Sequence, residues 1–197
     1  MKRFGIFSGS FNPVHAGHVS FARAAIKHGK LDTVFFAPEI QPRRKSGVTH
    51  IAHRIAMLKL ALADEPGMEV LELPDKHFSV AKTLPRLKKL FPDAELYYLA
   101  GSDMLEHMPE WRLVEVLLRD IGLLVGLRSS AAMSDVRMNI GKLPAEPKEI
   151  VIIKSPNSSV SSQKIREDIG AFRKPANISP PVQRYIDEHW LYHVIKN

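Results

Sequence analysis

The 197-residue chain has no cysteine, which excludes disulfides and thiolate metal sites and allows a reducing compartment. No apolar run approaches the length needed to span a membrane. Lys2-Arg3 resembles the start of a secretory leader, but the apolar stretch behind it ends within a few residues. A cytoplasmic protein with no membrane partner is the default expectation. Three catalytic signatures are missing: the Gly-x-x-x-x-Gly-Lys-Ser/Thr phosphate loop, the His-Glu-x-x-His zinc helix and the Gly-x-Ser-x-Gly elbow. Internal repeats, low-complexity tracts and linkers are absent too. One domain over residues 1–197 is expected, with residues 155–197 as its C-terminal helical part.

What remains is ordinary globular usage, 45% apolar and 25% charged, with a net charge of +7. Such a balance suits nucleic acid, or an enzyme whose substrates are all phosphate anions. The positive residues are scattered over helices, among them Lys27, Lys30, Lys59, Lys88 and Lys89; only Arg43-Arg44-Lys45 is a tight cluster. No aromatic ladder accompanies it, so nucleic acid is not an expected partner.

Hydrophobic patterning alternates between short apolar runs and helical periodicity. Strands are predicted over residues 2–8, 32–37, 68–73, 95–100, 121–127 and 149–153. Helices are predicted over residues 19–28, 49–63, 78–90, 161–169 and from Ser179-Pro180-Pro181 onward, with Gly29 stopping the first and Pro85 disturbing the third. Shorter helical pieces fall at 104–107, 113–118 and within 129–148. This order predicts an α/β fold: a doubly wound, mostly parallel sheet with helices on both faces. Ligands of such sheets sit beyond the C-terminal strand ends. The turns at 8–13, 38–48, 101–103 and 154–162 all follow strands and are expected to gather there.

Two stretches carry chemistry. In the first, Gly9-Ser10-Phe11-Asn12-Pro13-Val14-His15-Ala16-Gly17-His18 joins the first strand to the first helix. Gly9 lets backbone approach a ligand and Pro13 shapes the turn. The first N–H groups of a helix lack intrahelical acceptors and favour anions. His15 and His18, three apart, would share a helix face and handle phosphate. In the second stretch, Val160-Ser161-Ser162-Gln163-Lys164-Ile165-Arg166, two serines open a helix and Arg166 follows about one turn later, within reach of the same anion.

Together these stretches resemble the His-x-Gly-His nucleotidyltransferase superfamily, whose second motif is Ile-Ser-Ser-Thr-x-Ile-Arg. Gly101-Ser102-Asp103 followed by Pro109 and Trp111, Thr83-Leu84, and Pro180-Pro181-Val182…Tyr185-Ile186…Leu191-Tyr192 are similar to segments of bacterial nicotinate mononucleotide adenylyltransferases. The likeness runs from residue 4 to about residue 192. The chain departs from the family at Ser8 and Asn12, where Gly and Asp are usual. It departs also around Arg43-Arg44-Lys45 and at His77-Phe78-Ser79.

The resemblance implies a Rossmann-like fold and a transfer of the adenylyl group of ATP to nicotinate mononucleotide in NAD biosynthesis. It implies that His15, His18 and Arg166 are catalytic. ATP is expected to meet Gly9, Ser10, Phe11, His15, His18, Gly101, Asp103, Ser161, Ser162 and Arg166. Lys45, Thr83, Trp111 and Arg128 are expected on the acceptor side. Magnesium would arrive with ATP, without a dedicated protein metal site. ATP and a mononucleotide are then the partners, and a homo-oligomer is allowed. Two other readings stay open: another phosphorylated acceptor such as phosphopantetheine, and a non-catalytic nucleotide sensor. An aminoacyl-tRNA synthetase, which uses a similar histidine motif, is set aside because the chain is short and has no Lys-Met-Ser-Lys-Ser stretch.

Overall fold

Strand β1, Lys2–Gly9, is the axis of the fold, and the chain winds away from it in both directions. The computed structural model describes residues 1–43, 45–127 and 133–193. Strands β2 (Thr33–Pro38), β3 (Met68–Val70), β4 (Ala94–Gly101), β5 (Gly122–Leu127) and β6 (Ile150–Lys154) complete one sheet in the order β3-β2-β1-β4-β5-β6. Every neighbouring pair is parallel, with Ile6 opposite Phe35 on one side and Tyr98 on the other. The winding reverses between β1 and β4, so the crevice of a doubly wound sheet opens there.

Side chains alternate across the strands, as a sheet covered on both faces requires. Phe36, Leu99 and Leu124 point to one face, where α1 (Ala16–Gly29), α2 (Ile51–Leu62), α7 (Ser162–Gly170) and α8 (Pro180–Glu188) pack with Ala22, Leu58, Ile165 and Val182. Phe35, Tyr98 and Leu123 point to the other face. They are covered by α3 (Thr83–Leu90), α4 (Ser102–His107), α5 (Val114–Asp120) and α6 (Met133–Gly141), with Leu87, Leu105, Leu117 and Val136. The C-terminal helices thus share a core with the first two helices.

Several boundaries differ from the sequence reading, each for a local reason. Helix α1 starts at Ala16 rather than residue 19, because His15 caps it, and it runs through Gly29 to a left-handed Lys30 (φ 50°). Helix α3 starts at Thr83, which puts Pro85 in its first turn. The missing proline N–H has no intrahelical role there, so the helix is not disturbed. Strand β3 stops at Val70, and Leu71 N–H closes on the Phe36 carbonyl.

Candidate active site

The expected gathering of turns occurs. At the C-terminal edge of the sheet, a cavity of about 540 Å³ is lined by Gly9 at the end of β1, by Ser10, Phe11 and Asn12 after it, and by His15 and His18 at the start of α1. Lys45, Ser46 and Val48 line it from the segment after β2. Gly101 and Asp103 contribute after β4, and Ser155, Ser161, Ser162 and Arg166 from the β6–α7 side.

The two histidines make a reciprocal cap. His15 is the N-cap residue of α1, in extended backbone, and its Nδ1 accepts from Gly17 N–H at 3.2 Å. His18 returns the bond, its Nδ1 accepting from His15 N–H at 3.2 Å. Histidines thus fill the places that Ser/Thr and Glu/Gln usually hold in a capping box. The rings stack with centroids 3.7 Å apart. A ring nitrogen that accepts from an amide carries no proton, so each neutral imidazole bears its hydrogen on Nε2. Both rings are therefore set as Nε2–H donors. Phe11 and Phe7 pack against the His18 ring, at 5.1 and 5.9 Å between centroids, and limit its rotation.

This cap revises one sequence expectation. The first amides of α1 are already paired: Ala16 N–H with the Asn177 carbonyl, Gly17 N–H with His15, and His18 N–H with the His15 carbonyl. The backbone N–H groups at this helix start are therefore engaged within the protein. The glycine within His-x-Gly-His serves a close approach. An ideal Cβ at Gly17 would lie 2.8 Å from the Asn157 carbonyl oxygen and 3.0 Å from the His15 ring.

The second motif closes onto the first. Ser161 caps α7, its Oγ accepting from Gln163 N–H at 3.2 Å. Ser162 Oγ donates to the Pro13 carbonyl at 3.0 Å, and Arg166 Nη1 donates to the Asn12 carbonyl at 2.8 Å. Opposite them, Asp103 lies in the first turn of α4, whose cap position is Gly101. A Cβ at Gly101 would collide with the Asp103 carboxylate. Lys45 Nζ reaches Ser10 Oγ at 3.0 Å across the cavity mouth.

Other expected residues are placed elsewhere. Thr83 is buried, its Oγ1 accepting from Ser79 N–H at 3.0 Å in the turn before α3, and it does not line the cavity. Trp111, half-buried, packs edge-on to Tyr98 at 5.8 Å and beside Phe78, also outside the lining. Arg128 lies outside the described residues.

Arg54, which is not among the expected site residues, is 1% exposed directly beneath it. Its guanidinium donates to the carbonyls of Thr49 (2.8 Å), Ser10 (2.8 Å) and Ile40 (3.2 Å). Burial lowers its pKa from the ordinary arginine value. No sequence signal marks this role, since all three acceptors are backbone atoms. Among the described residues, no group of three or more His, Cys, Asp or Glu side chains could hold a metal ion, and no helix is long and apolar enough to cross a membrane.

Comparison with known proteins agrees with this geometry. Residues 6–168 match the cytidylyltransferase-like family. A protein of Carboxydothermus hydrogenoformans, described as a probable nicotinate-nucleotide adenylyltransferase, is 36% identical over 96% of this chain and 98% of its own. One of Dehalococcoides mccartyi with the same description is 33% identical over 96% of each chain. Among solved structures, the Plasmodium falciparum nicotinic acid mononucleotide adenylyltransferase complexed with NaAD superposes with a TM-score of 0.79 over 98% of each chain, at 18% identity. A second structure of that enzyme, complexed with APC, gives 0.77 over the same share, at 17% identity. Relatives this similar along almost the whole length, on a sheet that brings both histidines and Arg166 to one cavity, make the chain a nucleotidyltransferase that belongs to the nicotinate-nucleotide adenylyltransferase family.

Proposed function

We propose that this enzyme transfers the adenylyl group of ATP to nicotinate mononucleotide, giving nicotinate adenine dinucleotide and pyrophosphate on the route to NAD. The observation that carries the reading is the pair of Nε2–H imidazoles on α1, sharing one cavity with Arg166 and the serines at the start of α7. A phosphate oxygen of the mononucleotide attacks the α-phosphorus of ATP. The bond from that phosphorus to the bridging oxygen breaks, and pyrophosphate leaves with the electron pair. Both reactants are anions, so the work of the site is alignment and charge stabilisation rather than covalent catalysis.

His15 and His18 donate to triphosphate oxygens, with His18 next to the charge that grows on the leaving pyrophosphate. Arg166, Ser161 and Ser162 hold the β- and γ-phosphates. Gly9, Ser10 and Phe11 form the wall along which the nucleotide lies, and Asp103 accepts from ribose hydroxyls beside Gly101. Lys45 meets a phosphate at the mouth, on the acceptor side. Trp111 offers its face to the pyridine ring, Thr83 shapes that side through its turn, and Arg128 is the further cation. The cavity donors are mainly hydroxyls, imidazoles and cations with one carboxylate, which suits a magnesium ion carried on ATP oxygens rather than caged by protein. Bound in that way, magnesium would supply positive charge to the departing phosphates.

Pyrophosphate release from Mg-ATP tests the reading, with nicotinate mononucleotide, nicotinamide mononucleotide and phosphopantetheine supplied separately. Release that is fastest with nicotinate mononucleotide is the expected outcome. Release only with a different acceptor would discard the substrate and keep the ATP site.

A further inference from the structure

The turn over residues 10–13 is held by three side chains from two separate elements. Arg54 on α2 takes the Ser10 carbonyl, Arg166 on α7 takes the Asn12 carbonyl, and Ser162 takes the Pro13 carbonyl. The Asn12 side chain, 4% exposed, is held separately. Its Oδ1 accepts from Thr49 N–H at 3.3 Å and from the Tyr192 hydroxyl at 2.8 Å. Thr49 closes the circuit, because its carbonyl is one of the three acceptors of Arg54.

Tyr192 lies beyond the last helix, on a segment of unusual backbone. After α8 the chain passes through Trp190 (φ 52°) and Tyr192 (φ 66°), both left-handed, with Leu191 N–H returning to the Ile186 carbonyl at 3.0 Å. Bulky residues occupy this region only against a steric penalty. Such strain persists where the surroundings enforce it and clusters at working sites. The other end of the contact is strained too, since Phe11, beside Asn12, has φ 44° while only 1% exposed. The C-terminal region also touches the signature a second time, where the Asn177 carbonyl accepts from Ala16 N–H at 2.9 Å. Both ends of the stretch from Asn12 to Ala16 are thereby tied to residues beyond 170.

We infer that Tyr192 is a positioning residue of the nucleotide site, acting through the Asn12 carboxamide to hold the turn that precedes the catalytic histidines. The inference rests on the reading of this cavity as the ATP site. The Tyr192 hydroxyl must remain a donor for the contact to last, and it does: burial pushes its pKa up to about 12. Arg54 supports the same turn from below, but removing it would strand three carbonyls. Tyr192 can instead be altered by a single oxygen atom.

Tyr192→Phe keeps the ring and its packing. One neutral hydrogen bond corresponds to about a tenfold effect, so ATP affinity by calorimetry and kcat/KM should each fall between about threefold and about tenfold. The thermal midpoint should fall by only a few degrees. The decisive arm is Asn12→Ala. In that background Tyr192→Phe should change ATP affinity by less than about twofold, because a positioning contact needs its partner. Asn12→Asp, which retains the acceptor oxygens, should retain the sensitivity to Tyr192→Phe. Wild-type ATP affinity and turnover in Tyr192→Phe would overturn the inference, and so would losses that multiply independently in the double variant. ATP affinity does not depend on which acceptor is used, so an error in the acceptor reading leaves this result standing.

Discussion

His15 and His18 each do two things with one ring. Nδ1 closes the helix cap, and the same bond fixes the tautomer with the hydrogen on Nε2, the donor that the proposed reaction would use. Substitutions can separate the two roles. His18→Ala should lower turnover by about a hundredfold or more, the usual loss when one donor to a developing anion is removed. Its stability cost should be about 1 kcal/mol, that of a lost cap contact. His15→Asn keeps a capping side chain, so it should melt close to wild type while turning over poorly. Steady-state pyrophosphate release and thermal denaturation check both variants, and near-normal turnover in His18→Ala would remove it from the site. The motif itself was legible in the chain. The cap was not, because it depends on His15 adopting extended backbone, which a spacing of three residues does not reveal.

Among the elements, the segment after β2 shows most clearly how a scaffold serves a site. It carries Lys45, Ser46 and Val48 to the cavity, and Arg54 on α2 pins residues 40 and 49 at its two ends and Ser10 beside it. Lysine at 54 would keep the charge but not the divergent donors of a guanidinium. Arg54→Lys should therefore loosen this segment before it loosens the fold. Arg43, Arg44 and Lys45 are adjacent trypsin sites, so native-state cleavage there should rise about tenfold or more, ahead of cleavage elsewhere. Cleavage at these sites no faster than at others would refute the staple. Sequence analysis places the helix and the loop but does not count Arg54 among the expected site residues. Three carbonyls distant in sequence decide otherwise, and a carbonyl has no residue type by which to be recognised.

At the scale of the molecule, a net charge of +7 meets substrates that are all anions. Long-range attraction acts on encounter and is screened over about 8–10 Å at physiological salt. Raising ionic strength from about 0.02 M to about 0.3 M should therefore lower kcat/KM for ATP severalfold while kcat changes little. A salt-independent kcat/KM would show that the excess charge plays no part in capture. The parallel sheet makes such capture local, since all six strands end on the side where the cavity lies.

Residue type and spacing were enough to determine the alternation of strands and helices and the parallel sheet, and the resemblance of two motifs to a known superfamily pointed to the site. Those features rest on local periodicity and on residues whose chemistry is rare in combination. Tertiary structure alone decided which groups touch: the reciprocal histidine cap, Arg54 beneath the site, Thr83 and Trp111 outside its lining, and Tyr192 bonded to Asn12 across 180 positions. Hydrogen bonds to backbone atoms and contacts between distant segments leave no pattern in the order of residues. They exist only once the chain has closed.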